Sequence, residues 1–289
     1  MAKVGIVTDT IACLPPGIIK ELDIRILPVA LNINGKPYRD GIDVNPDGFW
    51  KMFPKIKEFT TAAPALSEYS DILTNLSKTT DNIVCIFVSK ALSAIYEVAI
   101  QASDLFKKDN PGVNIEIIDS RTAAGAQGFI VEETARAALN GKSLSEVVQA
   151  AADTIPRVKF VTIMDTLKYL IKSGRAPKTA YMGELFQVKP IIGMLNNTGL
   201  VENLGRARGK EKALTKALDL MAEHIDVTQP VRVNVQYTNS IEDGEYFKQM
   251  VTSRFNCAEI YFTSYTPVMS GHTGPVVAVS FYPSEKSEK

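Results

Sequence analysis

The sequence predicts an α/β protein in two parts: an N-terminal, mostly parallel sheet flanked by helices, and a C-terminal α+β domain with a mixed sheet. Three observations predict it. Short apolar runs alternate with helical segments through the first half, the order that builds parallel strands with crossover helices. The second half instead crowds its strands together around a hairpin signal. At 289 residues the chain is long for one domain, and two of roughly 100–200 residues each are expected.

The elements follow in order. "KVGIVTDT" is a short apolar run ending in polar residues. "PPGIIKEL" starts a helix, since proline is tolerated in a first turn. "DIRILPVALNI" reads as extended, "NGK" as a turn, and "KPYRDGIDV" as a returning hairpin arm. "NPDGFWKMF" is a short helix, and "TTAAPALSEYSDILTNLS" a loop followed by a helix. "NIVCIFVS" is an apolar run of the kind found in strands buried on both faces. The helix "LSAIYEVAIQASDLFKK", the strand "VNIEIIDS" and the helix "AAGAQGFIVEETARAALNG" come next, the last with Gly141 as its C-cap. "SLSEVVQAAADTI" opens on a capping-box pattern, Ser143 to Glu146, and Pro156 closes it. We place the domain boundary there, giving 1–157 and 158–289.

The second half reads as the strand "VKFVTIMDT", a short helix and turn in "LKYLIKSGRAP", and a hairpin "PIIGMLNNTGLVENL" around Asn197-Thr198-Gly199. "KEKALTKALDLMAEHI" is an amphipathic helix, and "VRVNVQYT", "AEIYFTSYT" and "VVAVSFYP" are strands. The tail "SEKSEK" reads as disordered.

Composition excludes several function classes. Lys+Arg and Asp+Glu both count 32, so no basic stripe points to nucleic acid. Three separated cysteines and two histidines build neither a disulfide framework nor an ordinary zinc site. No metal and no cofactor is expected. No apolar stretch approaches the ~20 residues of a membrane span. "KVGIVTD" begins without a signal-peptide pattern, so a cytoplasmic location is expected. There is no P-loop, no G-x-G-x-x-G and no G-x-S-x-G.

Three first-half strands end in small oxygen-bearing residues: Thr8, Asp9 and Thr10; Ser89, with Ser93 four residues on; Asp119 and Ser120. Ligands of open parallel sheets bind at this edge, where helix N-termini favour anions. The same residues are also the preferred helix caps, and Asp9, Asp119 and Ser120 are read as caps. Ser93 is less easily explained, because Ser89 already serves the helix as its cap. Thr61 lies in "FTTAAPALS", a loop of small residues that either lets a ligand approach or is a turn held by Pro64. His272 lies in "SGHTGP", read as a tight loop whose glycines permit positive φ and close approach. His224 reads as a surface residue at a helix C-terminus. Lys172, Arg175 and Lys178, with Arg206, Arg208, Lys210 and Lys212, form basic stretches suited to a solvated surface, a phosphate or an acidic partner.

"VTDT", "TTAAP", "SKALSAIYEVA", "IIDSRTAAGAQG", "DTLKYLIKSGRA", "VKPIIG" and "GHTGP", in this order and spacing, resemble the DegV family of fatty-acid-binding proteins, the lipid-carrying subunits of bacterial fatty acid kinase. The resemblance covers essentially the whole chain. It implies a DegV-like two-domain fold with a fatty acid buried inside. It also implies that Thr61, Ser93 and the His272-Thr273 segment hold the carboxylate, and that a separate kinase phosphorylates it for phospholipid synthesis. The family's T-S-x-P-S is here Thr61-Ala62-Ala63-Pro64-Ala65, and its L-S-G-T is Leu92-Ser93-Ala94-Ile95, so several side-chain donors are absent.

The expected function is therefore a carrier with no chemistry of its own. Arg175 and Arg206 are the candidates for contact with the kinase or a phosphate, and transient contact with a membrane surface is compatible with the role. Two alternatives stand beside it. One is an acyl or ester hydrolase using Ser93 and His272, with Asp9 or Asp119 as the acid. The other is a carrier of a small polar metabolite.

Overall fold

The computed structural model describes residues 4–177 and 187–284; Lys178 and the tail from residue 285 lie outside them. Strands β1 (Val4–Asp9), β2 (Ile24–Leu27), β6 (Asn82–Phe87) and β7 (Asn114–Asp119) form a four-stranded parallel sheet, ordered β2-β1-β6-β7. Every residue of β1 is buried, its polar Thr8 and Asp9 included, and β6 is buried in five of its six residues, as its apolar run predicts for a strand covered on both faces. Helices α1 (Pro16–Glu21), α3 (Leu66–Ser77), α4 (Ile95–Asp109), α5 (Ala124–Leu139) and α6 (Leu144–Thr154) accompany this sheet. The capping box at Ser143 forms as the sequence predicts, and Gly141 follows α5 at φ 73°.

"DIRILPVALNI" is two strands in two different sheets. Pro28 cannot donate to a ladder and separates them. After it, β3 (Ala30–Ile33) pairs antiparallel with β4 (Lys36–Arg39) and with β5 (Phe59–Ala62). The segment 59–62, read from sequence as a loop, is thus a strand, with Thr61 opposite Leu31. Its partner is distant in sequence, so no local turn signal announces it. Helix α2 (Pro46–Met52) lies between β4 and β5, capped by Asn45 on the Gly48 N–H.

The six-stranded mixed sheet has the order β10-β9-β8-β13-β11-β12. It contains β8 (Lys159–Met164), β9 (Val188–Met194), β10 (Glu202–Arg208), β11 (Val231–Tyr237), β12 (Cys257–Ser264) and β13 (Val276–Pro283). Only β11 and β12 pair in parallel. Its helices are α7 (Lys168–Lys172), α8 (Lys210–Glu223), α9 (Ile241–Arg254) and α10 (Pro267–Thr273). The sequence reading has no element at α9. Gly244 in its interior hides the helix, and a Cβ there would stand 2.9 Å from the Phe262 ring and from Tyr237.

Residues 157 and 158, where the boundary is expected from sequence, lie in the short connection between α6 and β8. Two apolar clusters fill the interior. The smaller joins the six-stranded sheet to α8 and α9. The larger runs from Val4 to Tyr282 through both halves. Helix α5 joins them, with eleven of its sixteen residues buried. From it Gln127 donates to the Thr8 hydroxyl of β1 at 3.1 Å, and the Gly125 N–H donates to Gln236 of β11 at 2.9 Å.

Candidate functional site

Between the parallel sheet and the six-stranded sheet lies a cavity of about 430 Å³, within the size range of small-molecule sites. Val29, Val88 and Leu92 face it from the first half, and Phe160, Ile192 and Met194 from β8 and β9. α10 adds Val268 and Met269. Thr61, Ser93, Arg175, His272 and Thr273 all line it too, although they come from four separate places in the chain. Arg206 does not: it is an exposed residue of β10 opposite Pro190.

His272 stands in the last turn of α10, a short helix where the sequence reads as a loop. Proline at its first position and Gly274 at its end bound it. The two glycines of the motif have separate jobs. Gly271 is helical and seats the Phe59 ring, whose atoms would lie 2.2–2.6 Å from a Cβ there. Gly274 turns the chain at φ 67° and gives the same close approach to Tyr169. Phe59 in turn meets the imidazole edge-on, with centroids 5.3 Å apart. The glycines therefore make room for aromatic rings that fix the histidine.

The His272 Nε2 and the Thr61 hydroxyl are 3.1 Å apart. Burial pushes the imidazole pKa down to about 3, and the Arg175 charge pushes it the same way. The ring is neutral at pH 7 and carries one N–H. Thr61 and His272 hold two donor protons and use one between them: when Nε2 carries the proton and donates to Thr61, the Thr61 hydroxyl proton is left for a ligand. Ser93 accepts the Ile95 N–H at 3.4 Å, and among the described residues its hydroxyl proton has no acceptor. Thr273 differs, because its hydroxyl already donates to the Met269 carbonyl at 2.9 Å. It lines the cavity with no proton to offer.

Arg175 is held by its own segment and by the neighbour of Ser93. Nε donates to the Leu92 carbonyl at 2.9 Å and Nη1 to the Ser173 carbonyl at 3.1 Å. Among the described residues no carboxylate pairs with it. Burial lowers its pKa, as desolvation of a cation must. A half-buried guanidinium with donors to spare thus faces the cavity beside a neutral histidine and two hydroxyls.

The other sequence candidates are structural. Asp9 accepts the Ile11 and Val88 N–H groups at 2.8 and 2.9 Å, and burial pushes its pKa up to about 6. Asp119 accepts the Arg121 N–H at 2.9 Å, and the Ser120 hydroxyl donates to the Thr122 carbonyl. None of the three lines the cavity. Ser89 does more than cap: its hydroxyl donates to the Gly199 carbonyl at 2.7 Å and so holds the tip of the β9–β10 hairpin. His224 caps α8, its Nδ1 2.8 Å from the Leu220 carbonyl. Phe59, Tyr169 and Thr162 belong to the site or its support without any local sequence signal.

A family model described as "Uncharacterised protein, DegV family" matches residues 3–284. The chain belongs to the DegV family. A DegV domain-containing protein of Caldanaerobacter subterraneus is 33% identical over 222 residues, 76% of this chain and 77% of that one. Another from Lactococcus lactis is 25% identical over 98% of this chain and 99% of its own. The solved DegV family protein of Thermus thermophilus, described for its fatty acid binding, superposes with a TM-score of 0.88 at 23% identity, covering 98% of this chain and 100% of its own. A stearic acid-binding protein of Eubacterium ventriosum gives 0.88 at 25% identity, covering 98% of each chain. The DegV fold, with its parallel sheet and its mixed sheet, is therefore the fold of this chain.

Proposed function

We propose that this DegV protein binds a long-chain fatty acid, with the acyl tail in the cavity and the carboxylate held by Arg175, Ser93 and the Thr61–His272 pair. One observation carries this reading. A guanidinium with no acidic partner among the described residues meets neutral hydrogen-bond donors in a mostly apolar cavity. A buried cation needs an anion, and a carboxylate bonded to arginine is among the stronger charge-assisted pairs. The walls suit a hydrocarbon chain, each methylene of which contributes ~0.8 kcal/mol when buried. The solved relatives described as fatty-acid-binding support the same class of ligand. The serines missing from the Thr61 loop are offset here by Arg175.

The carrier then presents its ligand to a separate kinase. Ala62 and Ala94 line the cavity beside Thr61 and Ser93 and are exposed. The polar end of the cavity thus reaches solvent, where a partner enzyme can meet the carboxylate. The exposed Arg206 is our candidate for contact with that kinase or the phosphate it transfers, in the cytoplasm.

The hydrolase reading finds no support in the geometry. Ser93 makes no hydrogen bond to His272, whose Nε2 is on Thr61. A histidine with a pKa of about 3 is a weak general base at neutral pH. A small polar metabolite would leave most of the apolar wall unfilled.

Mass spectrometry of the protein purified from a heterologous host, native and then solvent-extracted, tests the ligand. A stoichiometric fatty acid is expected. An empty protein that also takes up neither palmitate nor oleate overturns the proposal.

A further inference from the structure

Strand β8 turns Val161 and Ile163 toward α8 and α9, and Phe160 and Thr162 toward the cavity. Thr162 therefore puts a fully buried hydroxyl into an apolar wall, opposite Ile192 in the sheet. Its side chain has one hydrogen-bond partner among the described residues, the phenol of Tyr265 at 3.3 Å. Tyr265 is also fully buried, does not line the cavity, and has no other side-chain partner among those residues. The two hydroxyls hold two protons, and one bond uses one. The second has no acceptor among the described residues, and an unmade buried hydrogen bond is costly. When Tyr265 donates to Thr162, the threonine proton is the one left over, on the residue that faces the cavity.

Register places this hydroxyl away from the carboxylate cluster. Asp165 bonds through its N–H to the Pro275 carbonyl, next to the end of α10. Thr162 lies three residues back along β8, about 10 Å at the rise of a strand. It meets the chain of a ligand whose head group sits at His272.

We infer that Thr162 is a specificity-determining residue: it favours acyl chains with a hydrogen-bond acceptor in their middle section over saturated ones. A hydroxyl or keto oxygen is the strong form of that acceptor, and the π face of a double bond the weak form. The inference rests on the fatty-acid reading but can fail without it. Calorimetric titration of the delipidated protein with stearate, oleate and a mid-chain hydroxystearate tests it. The ratio of hydroxystearate to stearate affinity is expected to fall about fivefold in Thr162→Val, the worth of one neutral hydrogen bond, with a smaller fall for oleate. Tyr265→Phe is expected to keep or raise the ratio, because the threonine donor remains. A ratio unchanged in Thr162→Val, or one that collapses in Tyr265→Phe, overturns the inference and leaves the fatty-acid reading standing. If no chain binds the wild type, both fall. Should Thr162→Val not fold, Tyr265→Phe alone still decides.

Discussion

Gly271 has no Cβ because the Phe59 ring stands where one would be. The ring is not free to yield, since it packs against Phe49 on one side and His272 on the other. Adding a methyl here forces the ring, and with it the imidazole, out of place. Overpacking of this kind costs roughly 1–3 kcal/mol, which outweighs the ~1 kcal/mol that alanine gains over glycine in a helix. Gly271→Ala is therefore expected to lower thermal stability by a few degrees and fatty-acid affinity about tenfold. Gly271→Ala combined with Phe59→Leu is expected to recover much of the stability, because the smaller side chain vacates the space. A double-mutant cycle by calorimetry and thermal unfolding checks this. Additive effects would show that the ring and the glycine are not coupled. The glycines around His272 were legible as a sign of close approach. What approaches was not, because Phe59 and Tyr169 are far away in sequence.

At the scale of the element, α10 is set in place at both ends. Its last turn carries His272, and its Val268 N–H donates to the Asp40 carboxyl at 3.1 Å. Asp40 is fully buried, and that burial pushes its pKa from 3.8 up to about 7. The sign of the linkage follows. Between pH 3.8 and about 7 the folded state holds a proton that the unfolded state has released. Stability contributed by Asp40 is thus present in acid and lost as pH rises to about 7. His272 acts oppositely, since its folded pKa is depressed and its contribution is lost as pH falls from 6.5 toward about 3. Asp40→Asn separates the two, being neutral at every pH and still able to accept from Val268. The variant is expected to gain stability relative to wild type as pH rises from 4 toward 7, and to hold that gain above pH 8. Urea midpoints across that range test it; a wild-type–variant difference independent of pH would show that Asp40 titrates normally. Elements such as β1, β6 and the Ser143-capped α6 were legible from apolar runs and caps. Those that were not, β5, α9 and α10, are short or carry glycines, and take their shape from residues elsewhere in the chain.

At the scale of the whole molecule, the two halves share one interior. The larger apolar cluster contains β1 and β6 residues together with Phe160, Ile192 and Tyr282 of the six-stranded sheet. Polar contacts cross the same seam. Arg232 of β11 pairs with Glu132 and Glu133 of α5 and with Glu259 of β12, and its guanidinium lies over the Phe129 ring. Glu132 and Arg232 are both buried, so separating the halves would break the ion pair between them as well as bare apolar surface. The cavity belongs to this seam too, since its walls come from both sides. The two-part organisation legible in the sequence describes the sheets, whereas the cohesion between them depends on side chains that only the fold brings together. One cooperative unit is therefore expected. Trp50, the sole tryptophan, reports on the first half, and far-ultraviolet circular dichroism reports on the whole chain. The two urea transitions should coincide, and residues 1–157 expressed alone should not fold. A dichroism curve with a second phase that Trp50 fluorescence does not follow would mean that the halves unfold separately and that the cavity can open without global unfolding.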